Sequence, residues 1–441
     1  MTTEKTEKTN GNGKESSPKK FLFVSEEALI GDLAWQVKQE GNQVKYYIHD
    51  KDSKDICDGF VEKAEEWTAL KDWADVIVFD DVFFGEIADK LRKEGKAVIG
   101  GSVYTDKLEE DREFGQEELK KVGVNVLPHW DFTDFDEAIQ FVSKNPGRYV
   151  LKPTSKGGEK ELLYVGQEED GKDVIQLLEH YKRAWSKKIK FFQLQKYAAG
   201  VEIAVGAFFN GAEFITPINV NFEHKKMFPG DIGPSTGEMG TLAYWSPPNT
   251  IFHETLEKIK PSLAQCGYVG YIDINCIVNA RGIYPLEFTS RFGYPTISLH
   301  IEGVTSQWGE FLHALATKKP FEFKTKKGFQ ICVVVAVPPF PFYDIAAFKK
   351  YSEDATILFK KPITEGVHLG DVKLVEGDWR LAGYSGYALV ITGSGQTVDE
   401  ARKQAYSRVK NIMIPNMFYR TDIGFRWLVD SDKLHTWGYL Y

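Results

Sequence analysis

The chain has 441 residues, 42% hydrophobic and 27% charged, with a formal net charge of -8. That length suits two or three domains, each with its own core, in an ordinary globular composition. No basic excess argues for a nucleic-acid partner, no apolar run is long enough to span a bilayer, and no signal-peptide core is present.

Residues 1–19 are mostly Thr, Glu, Lys, Ser, Asn and Gly. Such a segment buries too little apolar area to offset its ordering, so a disordered tail is expected. Phe21-Leu22-Phe23-Val24 reads as a strand. Leu29, Leu33, Ala34 and Val37 give helical spacing over residues 28–40, with Gly41 as a stop. A strand over 43–48, a strand over 76–80, a helix over 84–94 and a short strand at 97–100 continue the alternation. Alternating strands and helices predict a parallel sheet in a small α/β domain.

A helix is expected over residues 106–122, ending near Gly123. A strand over 148–152 then runs into Pro153-Thr154-Ser155-Lys156-Gly157-Gly158-Glu159-Lys160. Read alone, that loop is either a flap that closes over phosphates or a plain hairpin turn. Strands follow at 191–197 and 200–208, with Asn210-Gly211 as a hairpin signal. Cys57, Cys266, Cys276 and Cys332 lack metal-ligand spacing, which predicts reduced thiols and a cytoplasmic setting.

Asp231-Ile232-Gly233-Pro234-Ser235-Thr236-Gly237-Glu238-Met239-Gly240 packs glycines, a proline and two hydroxyls into one loop. Glycines let backbone N–H groups turn toward a ligand, and a run of them makes an anion-binding concavity. A surface turn is the other reading of the same composition. Downstream, Tyr271 to Asn275, the turn Ala280-Arg281-Gly282, and Tyr284 to Gly293 read as a hairpin. It brings Asp273 and Glu287 near one another. Adjacent carboxylates repel unless a cation lies between them, and hard oxygens beside a phosphate loop suit Mg²⁺. Separate salt bridges with Lys or Arg are the alternative. From Gly328, short strands around Cys332 to Val337 precede a proline-rich break, and a helix is expected over 397–412.

Three motifs together resemble the glycinamide ribonucleotide synthetase (phosphoribosylamine–glycine ligase) family, within the ATP-grasp superfamily. They are His224-Lys225-Lys226 with the loop Asp231 to Gly240, Glu287-Phe288-Thr289-Ser290-Arg291-Phe292-Gly293, and Asn416 to Gly424. The resemblance implies an ATP-grasp fold with an N-terminal parallel-sheet α/β domain and a small C-terminal α+β domain. The implied bounds are 20–103, 104–326 (with a lid at about 127–190) and 327–441. It implies ATP and Mg²⁺ as cofactors, and small-molecule acid and amine substrates joined through an acyl phosphate. Arg112 and Lys152 fall where the family contacts phosphate. Gln195, Lys196 and Tyr197 match its adenine hinge, and Glu202 its ribose contact. Asp273, Glu287 and Thr289 are the implied metal ligands. Lys225, Asp231 and Arg291 are the implied catalytic residues. His224, Ser235, Thr236, Gly237, Glu238 and Arg291 are the implied substrate contacts. Arg291 would grip a carboxylate by its two-pronged geometry, with an ion pair to Glu287 or Asp273 as the structural alternative.

The family pattern is broken at three places. Ser25-Glu26-Glu27-Ala28-Leu29 stands where the family has Gly-Gly-Arg-Glu-His. Tyr294 and Thr296 replace two acids, and Glu238 replaces a glycine. The expectation is a carboxylate–amine ligase with an altered substrate site. Phosphoribosylamine–glycine ligase itself and a non-catalytic nucleotide-binding relative are the alternatives.

Overall fold

The computed structural model describes residues 17–153, 163–184, 186–187 and 189–440. The N-terminal sheet contains β1 (Lys20–Ser25), β2 (Gln43–Ile48), β3 (Glu62–Lys63), β4 (Val76–Phe79) and β5 (Val98–Ile99). Their order is β3-β2-β1-β4-β5, and every pairing is parallel. Phe21 to Val24 are all fully buried, as an unbroken apolar run requires in a sheet covered on both faces. Phe21 and Phe23 join the core of Leu33, Ala34 and Val37, from the helix Gly31–Gln39. Leu22 and Val24 pack with Ala88 and Leu91 of the helix Gly85–Lys93. The first helix starts three residues later than its spacing suggests. Ser25 Oγ accepts the Ala28 N–H at 2.8 Å, and Ala28 has a left-handed φ of 70° that keeps the chain out of the helix.

The helix expected over 106–122 is two helices, Val103–Glu110 and Arg112–Lys121. Asp111 leaves helical geometry, and its carboxylate caps the second helix by accepting the Phe114 N–H at 3.0 Å. A four-stranded sheet follows, ordered β6-β9-β7-β8, from β6 (His129–Phe132), β7 (Tyr149–Pro153), β8 (Tyr164–Val165) and β9 (Phe192–Lys196). It has its own core with Ala138 and Val142 of one helix and Val174 and Leu178 of another. The expected closing loop, Lys156 to Lys160, lies outside the described residues.

The central sheet has eight strands. They are β10 (Val201–Asn210), β11 (Ile218–Glu223), β14 (Gly240–Ser246), β15 (Val269–Asn279), β16 (Gly282–Thr289), β17 (Phe329–Ala336), β19 (Val367–Leu369) and β22 (Tyr387–Gly395). Their order is β16-β15-β10-β11-β14-β17-β22-β19. The small pairs are β12 (Lys226–Phe228) with β13 (Ile232–Ser235), β18 (Leu358–Phe359) with β23 (Ile412–Met413), and β20 (Val372–Val375) with β21 (Asp378–Leu381). Strands from the last third of the chain thus extend the sheet that begins at Val201.

Polar contacts join the N-terminal sheet to the rest. Glu40 accepts the N–H groups of Trp308 and Gly309 at 2.9 and 2.7 Å, at the start of the helix Trp308–Ala316. Asp32 accepts the Leu369 N–H at 3.0 Å and meets His368 Nδ1 at 2.8 Å. Among the described residues no helix is long and apolar enough to cross a membrane, and the four cysteines are free thiols.

Gly206 of β10 lies opposite Asp273 of β15. A Cβ at Gly206 would fall 2.5 Å from the Asp273 Cβ and would also collide with the Tyr271 hydroxyl, a close approach of the kind that keeps glycine in a strand. Gly206→Ala is expected to destabilise the fold by about 1–3 kcal/mol. The check is a lower urea midpoint at an unchanged m value.

Candidate active site

Alternation along the central strands gives the sheet one apolar and one polar face. Ile203, Val205, Val220, Phe222, Ile272 and Ile274 are buried in the main core. Cross-strand register places Asn275 opposite both Ala204 and Glu287, Asp273 opposite both Gly206 and Thr289, and Asn221 opposite Ala204. Paired residues share a face, as do residues two apart along a strand. Glu202, Asn221, Glu223, Asp273, Asn275, Glu287 and Thr289 therefore share the polar face.

Lys225 enters this face from just beyond β11. Its Nζ lies 3.0 Å from Glu202, 3.3 Å from Glu223 and 3.0 Å from Glu287. Asn275 Nδ2 donates to Glu202 at 3.1 Å and to Glu223 at 3.0 Å. Arg112 approaches the other Glu287 oxygen at 3.5 Å. Burial alone would lower the Lys225 ammonium, but Glu202, Glu287 and Glu223 outweigh it and hold the group well above the ordinary lysine range. Lys225 in turn holds Glu287 far below the usual carboxylate range, against its desolvation and with help from Arg112 and Lys152. Burial pushes Glu223, Glu238 and Asp273 upward, and the neighbouring carboxylates add to the effect.

Lys152, at the end of β7, is buried. Desolvation, together with repulsion from Arg112 and Lys225, lowers its ammonium to about 7. Arg112, Lys152, Lys225, Glu202 and Glu287 are thus brought into one electrostatic cluster.

Other expected residues are placed differently. The anion-binding reading of the 231–240 loop predicts free N–H donors. Instead, the Thr236 N–H donates to the Lys225 carbonyl at 2.9 Å and the Met239 N–H to the His224 carbonyl at 2.8 Å. The first half of the loop is the β12–β13 hairpin, so those donors are spent on the chain itself. Ser235 and Thr236 pair back against Lys226 and Lys225. Gly237, at a left-handed φ of 79°, has open space around its Cα. Glu238 turns inward and is buried.

Asp231 does not reach the Lys225 cluster. It is drawn to Arg420 at 2.8 Å and Arg426 at 3.2 Å. His224, one residue from both Glu223 and Lys225, lies on that same side. Burial and the nearby Arg426 and Arg420 lower its imidazole to about 3. Arg291 meets neither Glu287 nor Asp273 as its ion-pair partner. Its Nε lies 3.1 Å from Glu109 and 3.3 Å from Asp81, so the carboxylates it grips belong to the chain. At Gln195 to Tyr197, the N–H groups of Lys196 and Tyr197 donate to the Pro128 and Arg148 carbonyls, and the Arg148 guanidinium stacks 3.6 Å from the Tyr197 ring centroid.

For the implied metal, Asp273, Glu287 and Thr289 share a face, but the cations beside Glu287 are Lys225 and Arg112. Among the described residues no group of three or more His, Cys, Asp and Glu side chains is disposed to hold a metal ion. Mg²⁺ takes one or two carboxylates beside phosphate oxygens, and that smaller demand fits Glu287 and Asp273. Glu223, Asn221, Asn275, Glu109, Asp81, Arg420 and Arg426 complete these clusters and are not among the expected site residues. The polar alternation Asn219, Asn221, Glu223 along β11 is the signal that points to three of this strand's face residues.

Lys152 sets a testable pH dependence. Its folded value of about 7 lies below the ordinary 10.5, so between those values the unfolded chain binds more protons, and stability rises with pH. The penalty for burying the charge is complete below pH 7 and vanishes above 10.5. Lys152→Met is expected to gain stability over the parent at pH 6.5, with the gain fading by pH 10. Urea denaturation across that range checks it, and parallel stability curves for the two proteins contradict it.

Two family models match the chain: the ATP-grasp (A) domain of phosphoribosylglycinamide synthetase over residues 110–297, and the C domain of the same enzyme over residues 330–426. The chain is 24% identical to the phosphoribosylamine–glycine ligase of Clostridium acetobutylicum, across 92% of this chain and 99% of the relative. It is 27% identical to that of Streptococcus pneumoniae, across 78% and 82%. The structure of the phosphoribosylamine–glycine ligase of Thermotoga maritima aligns with a TM-score of 0.67 at 21% identity, covering 92% of this chain and all of that one. The biotin carboxylase domain of the Hydrogenobacter thermophilus 2-oxoglutarate carboxylase, solved with MgADP and bicarbonate, aligns at 0.65 and 14% identity, covering 95% and 94%. At those identities the structural likenesses establish the fold alone. The sequence matches, one domain following the other in order, establish that the chain belongs to the phosphoribosylglycinamide synthetase family of ATP-grasp ligases.

Proposed function

We propose that the chain activates a carboxylic acid as its acyl phosphate at the expense of ATP and passes the acyl group to an amine, with a substrate site altered from that of phosphoribosylamine–glycine ligases. The observation that carries this reading is the meeting of Arg112, Lys152 and Lys225 around Glu287. Phosphoryl transfer asks the protein mainly for positioning and for charge to offset that of the phosphates, and three cations at one edge of an acidic face supply it. In this reading Lys152 and Arg112 take phosphate oxygens, and Gln195 to Tyr197 and Glu202 border the nucleoside. Glu287 and Asp273 would hold Mg²⁺, which would offset phosphate charge. Lys225 passes from its carboxylates toward the transferred phosphoryl group. Arg291, fixed by Glu109 and Asp81, lines the side from which the acid enters.

The altered site is supported by the charge around the first strand. Ser25 Oγ donates to a carboxylate oxygen of buried Asp80, and the Tyr294 hydroxyl donates to the Asp80 carbonyl at 3.0 Å. Glu26, Glu27, Asp80 and Asp81 cluster in sequence at the ends of β1 and β4. In open α/β sheets ligands bind outside those strand ends. There, acids oppose a phosphate where glycine N–H groups would favour one. The plain family activity remains the second reading, because the relative matched over 99% of its length is named for it.

The test is to incubate the purified protein with MgATP, hydroxylamine and a panel of amino acids and other small acids. Expected is acid-dependent phosphate release with hydroxamate formation for at least one acid, and a loss of about 100-fold or more in Glu287→Ala. Phosphate release that no acid stimulates would sink the ligase reading. Efficient formation of glycinamide ribonucleotide from phosphoribosylamine and glycine would restore the plain family activity.

A further inference from the structure

The last third of the chain carries a small ribbon with one face left outside the fold. In it β18 pairs with β23, Leu358 opposite Met413 and Phe359 opposite Ile412. Directly opposed residues share a face. Ile412 is buried and Phe359 packs against the same core, so that face is spent on the fold. On the other face Leu358 is 52% and Met413 43% exposed. An antiparallel pair with one side in water ordinarily carries polar residues on that side. Leu and Met at both opposed positions break the rule.

The chain on either side of the strands is held at the same end of the ribbon. The Lys360 N–H donates to the Asn411 carbonyl at 2.9 Å, and Lys360 Nζ donates to the Lys410 carbonyl at 2.7 Å. The Lys361 N–H donates to Asn411 Oδ1 at 2.8 Å. Asn411 Nδ2 donates to the Lys361 and Ile363 carbonyls at 3.0 and 3.1 Å. One asparagine thus gathers Lys360, Lys361, Ile363 and Lys410 beside Leu358 and Met413. Ile363 is also exposed, and so are the three lysines. Among the described residues none of these lysines has an ion-pair partner. The acids nearest in sequence are engaged elsewhere, Asp354 by Lys373 and Glu365 by Arg408, each at 2.7 Å. Glu353 is the exposed acid left on that segment. On a chain of net charge -8, this end of the ribbon is locally positive.

We propose that the end of the β18–β23 ribbon docks on an anionic lipid surface. Leu358, Met413 and Ile363 enter the headgroup boundary, and Lys360, Lys361 and Lys410 meet the acidic headgroups. Charge complementarity gives the sign of the partner. The residue types give its kind. Where proteins meet, lysine is depleted and arginine enriched, and all three cations here are lysines. A lysine's flexible stem keeps its ammonium at headgroup level while apolar neighbours go deeper. The contact is peripheral, since among the described residues no helix is able to cross a membrane. A contact of this size is reversible and weakened by salt. None of its residues belongs to the candidate active site, so docking and ligase chemistry are independent readings.

The test mixes the full-length protein with phosphatidylcholine vesicles, with and without phosphatidylserine, and floats them on a density gradient at low salt. Flotation with the phosphatidylserine vesicles alone is expected, reversed by added salt. Two paired variants are expected to weaken it at least about tenfold each. Lys360→Glu with Lys361→Glu removes the attraction to the surface, and Leu358→Ser with Met413→Ser removes the apolar insertion. Unchanged urea midpoints show that both are folded. Lys93→Glu with Lys120→Glu, at exposed positions on other elements, changes the net charge equally and is expected to bind like the parent. Soluble poly-glutamate stands in for an acidic protein partner. Absence of binding to phosphatidylserine vesicles, undiminished binding by either folded ribbon variant, an equal loss in the control pair, or capture of poly-glutamate in place of vesicles overturns the proposal.

Discussion

One ammonium group organises the candidate active site. Glu202, Glu223 and Glu287 come from three strands of one sheet and point into the same space, an arrangement that mutual repulsion forbids without a cation among them. Lys225 Nζ lies about equally far from all three. Its position is set from behind, because both the N–H and the hydroxyl of Thr236 bond to the Lys225 carbonyl. The neighbouring His224 is tied through both of its backbone groups to Met239 and Gly240. The course of the 235–240 loop is thus a consequence of holding Lys225 in place. Glu238 is carried inward by the same loop.

The second constraint lies at the seam between the N-terminal sheet and the central one. Arg291 follows the strand that carries Glu287, yet its partners are Glu109 and Asp81. Glu109 also accepts the Ser290 N–H at 2.7 Å, and the Ser290 hydroxyl donates to the Thr105 carbonyl at 2.8 Å. The end of β16 is in this way locked to the helix Val103–Glu110 and to the tip of β4. The ends of the parallel strands, where an α/β domain places its ligands, therefore face the polar face of the central sheet.

Much of this architecture is legible in the chain. The parallel domain is read correctly because Phe21 to Val24 must be buried on both faces, and continuous apolar runs separated by helical spacing have few other solutions. The polar face is half legible. Asp273 and Glu287 emerge from a hairpin whose turn is plain, and the ammonium beside Glu287, that of Lys225, is shared with Glu202 and Glu223. The helix over 106–122 is misread because its apolar spacing runs on through Asp111, whose carboxylate prefers to cap. The ion pairs of Asp231 are illegible for a different reason. Its partner Arg420 lies 189 residues away, and no local pattern reports a pairing of that range. The loop of residues 231–240 has the composition of an anion nest, but composition does not say whether its N–H groups face outward or close a hairpin. Here the carbonyls of Lys225 and His224 take those of Thr236 and Met239.

The distribution of changed residues follows from what each part must do. Lys152, Glu202, Asp273 and Glu287 stand on strands, and Glu202 and Glu287 are held there by the Lys225 ammonium. Glu26, Glu27, Glu238 and Tyr294 stand on connections, where the backbone persists while the side chains change. Glu238 is buried beside Gly237, and Glu26 and Glu27 lie at the half-exposed end of β1. The strand residues are therefore tied to the packing of the sheet, whereas those on connections are less constrained by it.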